Sequence, residues 1–96
     1  ERSIDMALFP ASSGDLYYTD DVTYNGALTN GTGVKLDDTK DYRNAIAITL
    51  LTQANVNNYY SGCILYVSNS NGALYMVPSV TSTASVIRVR VLWKKS

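Results

Sequence analysis

Apolar and polar side chains alternate one by one over much of the chain, the pattern of a strand that buries one face. It is plainest near the carboxy terminus, where Ile87, Val89, Val91 and Trp93 interleave with Arg88, Arg90, Leu92 and Lys94. This predicts a half-buried strand with its cations turned to solvent or to a partner. Residues 63–68 and 73–77 flank Asn69-Ser70-Asn71-Gly72, and Asn-Gly is a strong hairpin signal because both residues tolerate positive φ. A two-residue or a four-residue loop gives the same parity. Either one leaves Cys63, Leu65, Val67, Leu74 and Met76 on one face and Ile64, Tyr66, Tyr75 and Val77 on the other.

The same period recurs toward the amino terminus. Ile4, Met6 and Leu8 alternate with Asp5 and Ala7 before Phe9 and Pro10, and the proline ends pairing because it donates no hydrogen bond. Residues 1–10 therefore read as a terminal strand or arm, and residues 11–96 as a single β domain. Strands are predicted at 16–19 and 22–24, closed by an Asn25-Gly26 turn. Asn30-Gly31-Thr32-Gly33 reads as a loop: its lone G-x-G lacks a phosphate-loop lysine, and its N-x-T sequon matters only in a secreted eukaryotic protein. Residues 37–56 are ambiguous. Asp38 is placed to cap a helix, yet Ile46, Ile48 and Leu50 alternate with Ala45, Ala47 and Thr49, which favours a strand over 44–52. The expected fold is all-β, a small antiparallel β-sandwich or jelly-roll-like domain of seven or eight short strands. The alternative is an α+β fold with one helix near 39–54.

Composition agrees with strands joined by polar turns. Tyr, Asn, Ser and Thr make up 35 of 96 residues, whereas Glu, Lys and Arg, the usual coat of helical surfaces, total nine. The charge pattern adds something that periodicity does not show. Net charge is zero, but all eight acids lie in residues 1–41 with three bases, and residues 42–96 carry five bases and no acid. Between Arg43 and Arg88 lie 44 residues without one Asp, Glu, Lys or Arg. Strands expose alternate residues and loops run over the surface, so part of this stretch faces outward. A charge-poor surface bearing Tyr and Met resembles the centre of a protein contact.

Candidate chemistry is thin. The chain has no histidine and one cysteine, so an internal disulfide is impossible and the usual zinc and iron-sulfur ligand sets cannot be completed. Cys63 sits among apolar residues and reads as a small buried hydrophobe rather than a nucleophile. Asp20-Asp21 and Asp37-Asp38 are paired carboxylates, but a domain this small rarely encloses the cleft that carboxylate catalysis needs. Asp15, Asp20, Asp21, Asp37, Asp38 and Asp41 lack the spacing of a calcium loop and read as solvated charges. Arg88, Arg90, Lys94 and Lys95 with Trp93 are too small a footprint for nucleic acid, and no apolar run reaches 18 residues. No enzyme activity, cofactor, metal, nucleic-acid partner or membrane partner is expected.

The expected function is structural: a self-assembling component of a virion, in its capsid, decoration or fibre, hence located in the virion or outside the cell. Copies would join through β edges and the uncharged Tyr/Asn-rich surface, with Ile4, Met6, Leu8, Phe9, Arg88, Arg90 and Trp93 at the contacts. One alternative is a secreted filament subunit assembled by strand addition. The other is a glycan-binding module in which Tyr17, Tyr18, Tyr59 and Tyr60 stack on sugar faces beside Asn57 and Asn58.

Overall fold

Strand β6, Ser82–Lys94, is the spine of the protein. In the computed structural model, which describes residues 16–95, it is the central strand of an antiparallel sheet with β1 (Tyr17–Leu28) on one side and β3 (Ala47–Ala54) on the other. The β1 ladder runs from Tyr17 opposite Lys94 to Leu28 opposite Ser82, and the β3 ladder from Ala47 opposite Leu92 to Ala54 opposite Val86. A second antiparallel sheet has β5 (Leu74–Val77) between β2 (Val34–Asp37) and β4 (Ile64–Val67). The fold is all-β, and β3 occupies the segment where a helix was the alternative.

One apolar cluster joins the sheets. Ile87, Val89, Val91 and Trp93 enter it from β6, Leu74 and Met76 from β5, with Leu28, Leu36 and Tyr42 closing its margins. Each fully buried aliphatic side chain is worth roughly 1.5–3 kcal/mol relative to exposure, so β6 and β5 supply most of the stabilisation. The alternation read from the sequence therefore sets both inner faces. Leu36 is buried in the cluster, and a bulge there interrupts the β2 ladder between Lys35 and Asp37 and brings Asp37 opposite the inward Leu74.

The hairpin of β4 and β5 has the predicted faces. Leu65 pairs with Met76 and Val67 with Leu74 toward the core, while Ile64 pairs with Val77 and Tyr66 with Tyr75 on the outside. Its loop is the four-residue form, closed by Ser68 N donating to Ala73 O at 3.0 Å and Gly72 N donating to Ser68 O at 2.9 Å. Gly72 has φ +76°, where a side chain is strained, and a Cβ there would run into the Asp41 carboxylate and lie 3.1 Å from Arg43 Nε. Gly72→Ala is expected to cost about 1–3 kcal/mol, read as a lowered urea midpoint. Gly31→Ala is the control, because Gly31 has φ +79° but open space around it. Equal losses at both sites would mean that the Asp41–Arg43 pair yields without cost.

One expectation is corrected and one alternative falls away, the favoured strand over 44–52 forming as β3. No hairpin forms at Asn25-Gly26: β1 continues along β6, with Asn25 opposite Val86 and Gly26 opposite Ser85, and its register shifts only between Gly26 and Leu28. The long β6 offers a continuous ladder, so the chain gains more by extending than by turning back. Gly26 instead makes room, since a Cβ there would sit 2.8 Å from the Tyr24 hydroxyl, which folds over it to donate to Ala27 O at 2.9 Å. The helix near 39–54 is reduced to a single 3-10 turn, Tyr42–Asn44, capped by Asp41 rather than Asp38. It stops there because Ala45 is extended and Ile46 N donates to Leu92 O at 2.8 Å, joining the β6 ladder.

Candidate functional site

The outer strands of the two sheets differ in charge. Edge strands β1 and β2 contact each other, and among the described residues β3 and β4 are the other edges of their sheets. The β1–β2 flank carries Asp20, Asp21, Lys35, Asp37, Asp38 and Lys40. The β3–β4 flank is drawn from the uncharged stretch between Arg43 and Arg88.

On the charged flank the ions are paired within the chain. The Arg90 guanidinium donates to both carboxylate oxygens of Asp21, at 2.9 Å from Nε and 3.0 Å from Nη2, with Arg88 at 3.9 Å. These hydrogen bonds hold the Asp21 carboxyl below its ordinary pKa and raise that of Arg90. The acidic amino-terminal half and the cationic last strand thus meet inside one molecule. Lys40 pairs with Asp20 and lies 5.5 Å from the centroid of the Trp93 ring, a cation–π contact. A groove of about 300 Å³ between β1 and β2 holds Asp20, Asp37, Lys40 and Tyr42. Its carboxylates already have partners, and among the described residues no three metal-ligating side chains come together.

Asp37 is the most constrained of these groups. Burial pushes its pKa up, but the hydroxyls of Tyr42 and Thr39 and the Thr39 amide donate to it and hold it below the usual carboxylate value. Burial, and then the adjoining carboxylate, push the Tyr42 hydroxyl well above the ordinary tyrosine value. A depressed carboxyl stabilises the fold fully above the unfolded pKa of about 4 and loses that contribution as pH falls through the folded value. Asp37→Asn is expected to lower the urea midpoint near neutral pH and to flatten its decline below about pH 4. An acid limb identical to that of the parent chain would mean that Asp37 is not among the groups that titrate there.

The uncharged flank is built differently. Among the described residues β3 pairs only with β6 along residues 47–52, and a bulge between Leu50 and Thr52 leaves Leu51 exposed, as is Ile46 at the start of the strand. On β4, Ile64 is 63% exposed, and the exposed Tyr66 ring stacks on Tyr75 with centroids 5.2 Å apart and planes 14° off parallel. Where β3 ends, Ala54 bridges to Tyr59, Asn55 N donates to Asn58 O at 2.9 Å, and Asn55 Oδ1 accepts from Asn57 N and Asn58 N, both at 2.8 Å. This tight turn projects Val56 and Tyr59, 91% and 87% exposed. Beside it lies a groove of about 490 Å³ walled by Asn55, Asn58, Tyr59, Tyr60 and Ser61 and, across it, residues 79–81.

The sequence-predicted residues fall in several places. Arg88 and Arg90 lie on the outer face of β6, a central strand without a free edge. Trp93 is 8% exposed and packs on Tyr42 with ring centroids 5.5 Å apart, so it has little surface to offer a neighbour. Ile4, Met6, Leu8 and Phe9 lie outside the described residues. Asn57, Asn58, Tyr59 and Tyr60 are together in the turn, with Tyr60 Oη 3.1 Å from Ser85 Oγ. Tyr17 and Tyr18 pair with Lys94 and Trp93 at the far end of β6, on opposite faces of β1 and eight or more residues from Ser85, about 26 Å of strand. The six proposed ligand residues therefore do not form one site. Ser79 and Thr81, which complete the groove, had no local signal, because only the return of the chain from β5 to β6 brings them there.

No protein-family profile matches the chain, and neither a curated protein nor a solved structure does. The functional reading rests on the surfaces themselves.

Proposed function

We propose that this chain is a structural, non-catalytic β domain that assembles with copies of itself through the β3–β4 flank, as a capsid, decoration or fibre component of a virion. The observation that carries the reading is that, among the described residues, β3 and β4 are edge strands with no ionised side chain of their own. An open edge presents a row of unpaired backbone donors and acceptors, and stable monomers blunt such rows with lysine, proline or a covering segment. Here the flank offers Ile46, Leu51 and Ile64 instead. The β1 edge, by contrast, carries Asp20 and Asp21. Pairing through β3 and β4 would satisfy the backbone and remove these apolar side chains from water, with no ion to desolvate.

Sedimentation velocity of the whole chain tests this. A discrete oligomer or larger assembly is expected at micromolar concentration. A monomer at about 100 μM, which corresponds to association weaker than about 5.5 kcal/mol, overturns the reading.

A further inference from the structure

The groove at the end of β3 lies past the 47–52 edge and differs from it in kind. We propose that it is a binding site for a neutral saccharide, seated against the Tyr59 ring and hydrogen-bonded by Asn58 and its neighbours. This goes beyond self-assembly and does not depend on it.

Ligand class follows from what the walls lack and what they hold. Among the described residues no Asp, Glu, Lys or Arg lines the groove, so an ionised phosphate, carboxylate or ammonium would lose hydration without gaining a counter-charge. A purely apolar ligand fits no better. It would cover side-chain amides and hydroxyls without pairing them, at a cost of roughly 1–3 kcal/mol for each group left unsatisfied. An uncharged molecule with hydroxyls on its rim and C–H groups on its faces meets both conditions. Among the described residues, the side chains of Asn58, Tyr59 and Ser61 have no hydrogen-bond partner within the chain, which leaves amide and hydroxyl groups for such a rim. Tyr59 presents an aromatic face at 87% exposure, open to the C–H face of a ring.

The groove is also already built. Asn55 Oδ1 fixes the turn through two amide bonds, Tyr60 N donates to Gln53 O at 2.6 Å, and Tyr60 Oη meets Ser85 Oγ. On the opposite wall Ser79 Oγ donates to Ser61 O at 2.6 Å, and Asn30 N donates to Thr81 Oγ1 at 3.0 Å. A site held this way loses little conformational freedom on binding. Its volume of about 490 Å³ falls within the roughly 300–1,000 Å³ of small-molecule sites.

The test uses the whole chain on a printed array of neutral, sialylated and sulfated glycans. Hits are then titrated into the ¹⁵N-labelled protein, with methyl α-mannoside, lactose and triacetylchitotriose as soluble probes. Expected are at least one neutral hit, amide shifts confined to residues 55–61 and 79–81, and affinity that changes little between about 50 and 500 mM salt. Tyr59→Ala should weaken binding at least about tenfold, whereas Tyr59→Phe, which keeps the ring, should stay within about threefold. Both variants should keep the parent melting temperature, because Tyr59 is solvent-exposed. The proposal is overturned by a silent array, by preference for charged glycans, by binding that survives Tyr59→Ala, or by shifts that map to Tyr17 and Tyr18. It is likewise overturned if the groove amides shift with protein concentration alone, which would make the occupant a second copy of the chain.

Discussion

Trp93→Ala is expected to remove about 3–5 kcal/mol of stability, seen as a lower urea midpoint with an unchanged slope. A domain of 96 residues has only about 5–14 kcal/mol to lose. The variant should therefore be partly unfolded at modest denaturant. Trp93 is the last inward residue of β6, packed at a tilt against Tyr42 and covered by Lys40, so its removal opens a cavity where the two sheets and the 3-10 turn meet. A second substitution refines the argument. The indole Nε1 is buried and has no acceptor among the described residues, so Trp93→Phe keeps most of the packing and deletes an unpaired donor. It should cost much less than the alanine variant, about 1 kcal/mol or below. If alanine cost under about 1 kcal/mol but changed the assembly state, the ring would be acting between molecules and not within one.

The second large effect is on assembly. Ile46→Lys together with Leu51→Lys should abolish self-association while leaving a folded monomer. Both side chains are exposed at the β3 edge, so the fold loses no core contact, and surface changes of this kind usually stay within about 0.5 kcal/mol. What changes is the edge. Two ammonium groups would have to shed water beside a neighbouring strand, with no carboxylate between Arg43 and Arg88 to receive them. Sedimentation of the double variant and of the parent at equal concentration measures the difference. An oligomer of parental mass would place the contact elsewhere, and the outer face of β6 with Arg88 and Arg90 would become the surface to mutate next.

The strand periodicities were readable because they are local. In β6, β4 and β5 each side chain's face follows from parity, and burial of Val89 or Met76 needs no knowledge of which strand lies opposite. Asn69-Ser70-Asn71-Gly72 was readable for a related reason: Gly72 adopts the positive φ that its residue type permits. Asn25-Gly26 carries the same local signal and does not turn, because its partners Val86 and Ser85, distant in sequence, hold it extended. Local preference amounts to about 1 kcal/mol, and a continuous ladder outweighs it.

The site was legible only in part for the same cause. Tyr59, Tyr60, Asn57 and Asn58 share a turn, so their neighbourhood was visible in the sequence, while Tyr17 and Tyr18 matched them in type and lie at the other end of the sheet. By itself the sequence determined the all-β character, the inward faces of its strands and the absence of charge between Arg43 and Arg88, since these depend on residue type and on a period of two. Only the tertiary structure decided that β6 is central and β3 and β4 are edges, that Asp21 meets Arg90, and that residues 79–81 wall a groove with Tyr59. Pairing between distant strands is set by the summed burial and hydrogen bonding of the whole chain, which no short window contains.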